Sequence, residues 1–276
     1  MANIWIRNED WLEENVLSAL YSALSPKYVY CDSVGGDDNN DGVTAPVRTL
    51  KKAFEVSQQF LYPGNMVIIS LEGTADSPQT YTFQEDLRLK LYSAYLKIRN
   101  RYDDVDGSII KGTGTAGNVL QFVGGEVNFE YLTFKGSDFV EDQDTKFSCL
   151  IYFTNTKVYG GHLKMLWEDY NYGRGYEYNC MMIAYNTSLY LGNCTIDGLA
   201  SDGTSKIGRG VGLLSGYILL DNCTFTNNNV CVYGYPYRPV AGAVAQYNCN
   251  FDESNEHVFQ NLRGVVHNLP GNPFGL

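Results

Sequence analysis

Val127-Asn-Phe-Glu-Tyr-Leu-Thr-Phe134 is followed 31 residues later by Val158-Tyr-Gly-Gly-His-Leu-Lys-Met165, and the series continues. Leu189-Tyr-Leu-Gly-Asn-Cys-Thr-Ile196, Ile218-Leu-Leu-Asp-Asn-Cys-Thr-Phe225 and Val244-Ala-Gln-Tyr-Asn-Cys-Asn-Phe251 complete it, with ends stepping by 31, 31, 29 and 26 residues. A second set lies upstream of these segments. Asn118-Val119, Cys149-Leu150 and Cys180-Met181 recur at 31, and Gly210-Val211 comes 30 further on. A fixed period of this size is the signature of a repeat architecture.

Aligned by period, the columns alternate in chemistry. Val127, Val158, Leu189, Ile218 and Val244 form one column, and Phe129, Gly160, Leu191, Leu220 and Gln246 the next. Leu132, Leu163, Cys194, Cys223 and Cys249 follow, then Phe134, Met165, Ile196, Phe225 and Phe251. Between them run mixed columns such as Asn128, Tyr159, Tyr190, Leu219 and Ala245. Successive side chains of a strand point to opposite faces, so the apolar columns face inward and the mixed ones outward. The phase slips between the second and third apolar columns, at Tyr131, His162, Asn193, Asn222 and Asn248. A bend is expected there, and Asn tolerates the backbone angles a bend requires. Short strands stacked like on like make an all-β, single-stranded parallel β-helix.

Outward from the repeat, three regions are expected: an N-terminal helical attachment or oligomerisation segment at 1–27, the β-helix at 28–266, and a C-terminal tail or cap at 267–276. Within the first, Glu9 to Leu24 reads as a helix, with Leu12, Val16, Leu20, Ala23 and Leu24 on one stripe. That stripe packs either on the body of the chain or on an assembly partner. The stretch lacks a basic region followed by an apolar core, so no signal peptide is expected. The tail carries two prolines and two glycines among Asn268 to Leu276 and reads as unable to continue a rung. Met66 to Leu71 and Leu91 to Arg99 read as early rungs, with Leu96 placed 36 residues before Leu132, and Gly107 to Gly117 as a turn-rich link.

Residues 28–65 carry a more specific pattern. Tyr28-Val29 with Asp32, then Gly36, Asp38, Asn40 and Gly42 at alternate positions, then Pro46, Thr49, Leu50 and Ala53 resemble the leading motif of pectate-lyase-like right-handed β-helix proteins. That superfamily includes many bacteriophage tailspikes and tail-fibre proteins. The resemblance implies a right-handed coil and a short capping helix at Thr49 to Phe60, with Leu50, Ala53, Phe54 and Phe60 on the first rung. It also implies a virion tail component made in the host cytoplasm, homotrimeric, contacting other tail proteins and host surface glycan. The alternative function is a polysaccharide depolymerase, either glycosidase or lyase. A cap is required on physical grounds too, because an open coil end exposes unpaired backbone groups and an apolar bore.

Composition excludes several classes. The formal net charge of −11 and the absence of a basic run argue against nucleic-acid binding. No apolar run reaches the roughly 18 residues of a membrane helix. The seven cysteines include no CxxC pair, and Cys194, Cys223 and Cys249 read as small buried hydrophobes. The Asn186, Asn193 and Asn222 sequons read as strand-and-turn chemistry. No cofactor motif appears.

The aromatic segments are the candidate ligand-binding residues: Trp167, Tyr170, Tyr172, Arg174 and Tyr176 in one, Tyr233, Tyr235 and Arg238 in the other. Sugar rings stack on aromatic faces, but the same residues also suit a subunit interface or a plain β surface. Glu168, Asp197 and Asp221 are the candidate catalytic carboxylates, the last two placed to approach each other from adjacent rungs. A lyase would draft Lys164 or Arg209. Asp37, Asp38 and Asp41 are hard oxygen ligands for a cation, or else turn-forming side chains. His162 reads as a surface or hydrogen-bonded side chain rather than a catalytic one.

Overall fold

The structure, a computed structural model, describes residues 25–112, 120–136, 148–167, 179–199, 209–234, 242–262 and 267–268. It is a right-handed parallel β-helix. Among the described residues, strands form a 14-stranded and a 7-stranded sheet, and every pairing between strands is parallel. In the larger sheet Lys27–Cys31, Met66–Leu71, Tyr95–Asn100, Glu126–Gly136, Lys157–Trp167, Thr187–Gly192, Gly216–Asp221, Ala243–Tyr247 and His267–Asn268 stack in that order.

The register follows the columns. Val158 lies beside Val127 and Leu189, Leu189 beside Ile218, and Ile218 beside Val244. Leu163 pairs with Leu132 and Met165 with Phe134. Their side chains fill one continuous bore in which Phe122, Phe129, Phe134, Phe153 and Phe225 are fully buried. None of the seven cysteines is in a disulfide and six are buried, with Cys194 and Cys223 in the bore as expected of small apolar side chains. Burial pushes the Cys31 and Cys231 thiols upward, the latter to about 12, which leaves them inert.

The phase slip is a corner. Tyr131, His162, Asn193, Asn222 and Asn248 all adopt left-handed backbone, with φ of 54, 53, 54, 50 and 49°. One left-handed residue turns the chain, so that the residue before it points outward and the residue after it points inward. Asn side chains bridge successive corners, Asn222 Nδ2 donating to Asn193 Oδ1 at 2.6 Å and Asn248 Nδ2 to Asn222 Oδ1 at 3.3 Å.

Three register expectations are corrected. Leu96 lies beside Val127, not Leu132, so this rung keeps the 31-residue step. The corner is replaced there by an excursion, after which Ser108–Gly112 pairs alongside Thr133 to Lys135; part of the expected Gly107–Gly117 link is therefore a strand. In the smaller sheet Val211 pairs with Met182, one residue later than the repeat implied, because the step shortens to 29. His267 and Asn268, assigned to the tail, pair with Ala245 and Gln246. The stripe at Glu9 to Leu24 and residues 269–276 lie outside the described residues.

The coil's first end is closed as its residues dictate. The helix Leu50–Gln58 starts at Thr49, whose hydroxyl oxygen accepts from Lys52 N at 3.1 Å. It buries Leu50, Ala53, Phe54 and Val56, and the Phe54 ring meets Phe122 edge-on at 6.0 Å. The Gly/Asp/Asn loop covers the edge of the first strand: Tyr30 N donates to Gly42 O at 2.7 Å, and Val47 N to Tyr30 O at 3.0 Å. This satisfies an edge that would otherwise invite pairing with another chain.

Candidate functional site

The outward columns of the larger sheet meet the corner column along a lateral groove of about 860 Å³. Its floor is made by what the sequence leaves out. Gly161 and Gly192 occupy the outward position next to the corner, and a Cβ built at either meets nothing within 4 Å. Phenolic side chains stand along one wall, Tyr95, Tyr159 and Tyr190; along the other runs the corner column His162, Asn193 and Asn222.

The first wall is ordered by its own contacts. Tyr159 and Tyr190, one rung apart, stack with ring centroids 5.0 Å apart and planes 15° from parallel. Tyr190 meets Tyr217 edge-on at 5.6 Å, and their hydroxyls share a hydrogen bond. Burial, then the Tyr217 hydroxyl, pushes the Tyr190 phenol up to about 12, whereas hydrogen bonding to Ser188 and Tyr190 draws Tyr217 down. Asn128 Nδ2 donates to Tyr95 Oη at 3.1 Å and to Glu130 Oε1 at 2.9 Å. At the corner, the Tyr131 and His162 rings stack at 4.7 Å, 3° from parallel.

The charges are arranged in pairs with one exception. Lys97 Nζ lies 2.6 Å from Glu130, and Lys157 Nζ lies 3.6 Å from Glu126 while sitting 4.8 Å over the Tyr159 ring. Asp221, in line with Gly192, Gly161 and Glu130, has no side-chain hydrogen bond or ion pair among the described residues. Flat aromatic faces, an open floor, amide donors and a free carboxylate make a surface suited to an extended polyhydroxylated chain.

Comparison with known proteins leaves the fold to speak alone. No protein-family model, curated protein or solved structure matches this chain.

The expected site residues fall in several places. Asp221 lines the groove. Asp197 does not join it: the register sets Asp221 beside Gly192 and Asp197 beside Thr226, so a corner separates the two, and Asp197 accepts instead from Leu199 N and Asn227 Nδ2. The expectation that they approach each other is corrected accordingly. Trp167 is 5% exposed and packs into the bore, away from the groove. Tyr233 is 4% exposed and belongs to a second, smaller apolar cluster with Cys149, Cys180, Ile183, Leu214 and Val230, under the Arg209 guanidinium at 4.0 Å. Glu168, Tyr170, Tyr172, Arg174, Tyr176, Tyr235 and Arg238 lie outside the described residues. Lys164 is ion-paired with Asp106.

Asp37, Asp38 and Asp41 shape the capping loop. Asp38 accepts from the backbone of Arg48 and Thr49 and from the Thr49 hydroxyl, Asp41 from Val43, Thr44 and the Thr44 hydroxyl, and Asp37 from Asn39. Their oxygens thus serve as turn-forming acceptors. Among the described residues no group of three His, Cys, Asp or Glu side chains is arranged to hold a metal ion, and no helix is long and apolar enough to cross a membrane.

Tyr95, Asn128, Glu130, Tyr159, Tyr190 and Asn193 were not among the expected binding residues. The signal was present in the repeat: glycine at the outward position before the corner on two successive rungs, beside tyrosine two residues earlier on both.

Proposed function

We propose that this chain binds a glycan along the lateral groove without cleaving it, as the host-contacting part of a virion tail assembly. The observation that carries the binding reading is the stacked Tyr159–Tyr190 wall facing the open Gly161–Gly192 floor. The virion assignment rests on the resemblance of residues 28–53 to the leading motif of tailspike-type β-helices, and the homotrimer on the same analogy. A non-catalytic role is supported by spacing. Glycosidase carboxyl groups stand roughly 5–10 Å apart. Glu130 and Asp221 share one column three rungs apart, on the order of 14 Å at the backbone.

The test is a glycan array read against Gly161→Trp and Gly192→Trp, which fill the floor from the solvent side. Binding by the parent chain and a loss of about tenfold or more in both variants, with melting unchanged, is the expected result. Binding that survives both substitutions would overturn the groove assignment. Release of reducing ends or of unsaturated sugars from a bound glycan would favour the second reading, a depolymerase in which Asp221 acts on the chain. Light scattering on the full chain tests the trimer; a monomer at all concentrations would remove it.

A further inference from the structure

We infer that the groove selects a sugar chain bearing protonated amino groups and excludes polyuronates, with Asp221 as the specificity-determining residue. This rests on the glycan-binding reading of the same groove and narrows it to a substrate class.

The lining residues include three carboxylates, Glu126, Glu130 and Asp221, and no lysine or arginine. The two lysines that reach the rim are already engaged, Lys97 with Glu130 and Lys157 with Glu126 and the Tyr159 face. An incoming carboxylate therefore meets no uncommitted cation in the groove among the described residues. It meets instead the single charge without a partner, the Asp221 carboxylate, on a chain of formal net charge −11. Like charges oppose association there, and opposite charges favour it. A protonated amine finds two complementary features: the Asp221 carboxylate at the end of the glycine floor, and the tyrosine faces, whose negative quadrupoles attract cations. Lys157 over Tyr159 already displays that second contact within the chain. The corner amides of Asn193 and Asn222 stand along the wall beside the glycine floor and suit sugar hydroxyls.

The experiment titrates the full chain with three pyranose hexamers at low salt: chitosan hexamer, its N-acetylated counterpart, and oligogalacturonate. The first two share a backbone and differ at one nitrogen per sugar, an ammonium in one and an acetamide in the other, and comparing their ratio in the parent chain and in Asp221→Asn isolates the charge. Chitosan hexamer should bind about fivefold more tightly than the acetylated hexamer, the preference should shrink with added salt, and oligogalacturonate should not bind. Asp221→Asn, which keeps the shape of the side chain, should abolish the preference, bringing the chitosan hexamer's affinity level with that of the acetylated hexamer. Asp221→Lys should admit oligogalacturonate.

Oligogalacturonate binding as tightly as chitosan hexamer to the parent chain would overturn the inference and leave the glycan-binding reading standing. A chitosan preference unaltered in Asp221→Asn would remove Asp221 from its role. No binding of any of the three hexamers would overturn the glycan-binding reading of the groove, and the inference with it.

Discussion

Replacing Asn222 by Val and, separately, by Gly isolates what the corner column contributes. Asn222 holds φ at 50°, a region that costs a residue with a Cβ about 1–2 kcal/mol and is least accessible to β-branched side chains. Its amide donates to Asn193 at 2.6 Å and accepts from Asn248 at 3.3 Å, both on the exposed side, so each bond is worth about 0.5–1 kcal/mol. Val loses both bonds and takes on the full strain, for about 2–4 kcal/mol. Gly loses the same bonds but adopts the angle freely, for about 1–2 kcal/mol. Because a solenoid contacts itself only through neighbouring rungs, the damage should be local. Hydrogen exchange on Thr187–Gly192, Gly216–Asp221 and Ala243–Tyr247 should show faster opening in Asn222→Val, with urea unfolding giving the size. If Val and Gly agree within about 0.5 kcal/mol, the left-handed backbone is not what the corner requires, and the account of the phase slip fails.

Two further outcomes follow from the cap and the bore. Phe122→Ala removes a fully buried ring that touches Phe54, Phe129 and Phe153, and should cost about 3–5 kcal/mol in urea unfolding. A double-mutant cycle with Phe54→Ala should show coupling of about 0.5–1.5 kcal/mol if the helix truly seals the end of the bore, and none if it merely lies nearby. The Asp41 carboxylate is held down to about 2 by the Thr44 hydroxyl and the Thr44 and Val43 amides, against an ordinary value of 3.8. A depressed pKa stabilises the fold above the unfolded value and ceases to do so as pH falls through the folded one. The urea midpoint of the parent chain should therefore exceed that of Asp41→Asn above about pH 4 and converge on it by about pH 2; a constant gap from pH 6 to 2 would show that the loop's stability does not depend on the charge.

The repeat by itself determined the architecture, because stacking like on like is a one-dimensional constraint. Val127, Val158, Leu189, Ile218 and Val244 have to share a face if the period is to bury anything, and the Asn-rich phase slip between columns marks the corner. The helix over the first rung was expected from the family resemblance at Thr49 to Phe60, and it stands at Leu50–Gln58. The register reading failed in two places: at Leu96, where the step stays at 31 and the Arg101–Gly107 excursion stands in for one corner residue, and at Val211, where the step shortens to 29. Only the tertiary structure decided the site. Aromatic density drew attention to Trp167 and Tyr233, yet alternation turns Trp167 into the bore and a second apolar cluster encloses Tyr233. The groove arises instead from residues 31 positions apart, Tyr159 with Tyr190 and Gly161 with Gly192, each unremarkable alone. Which outward columns form a wall, and which carboxylate is left without a partner, depends on the distances between rungs and not on the order of residues within one.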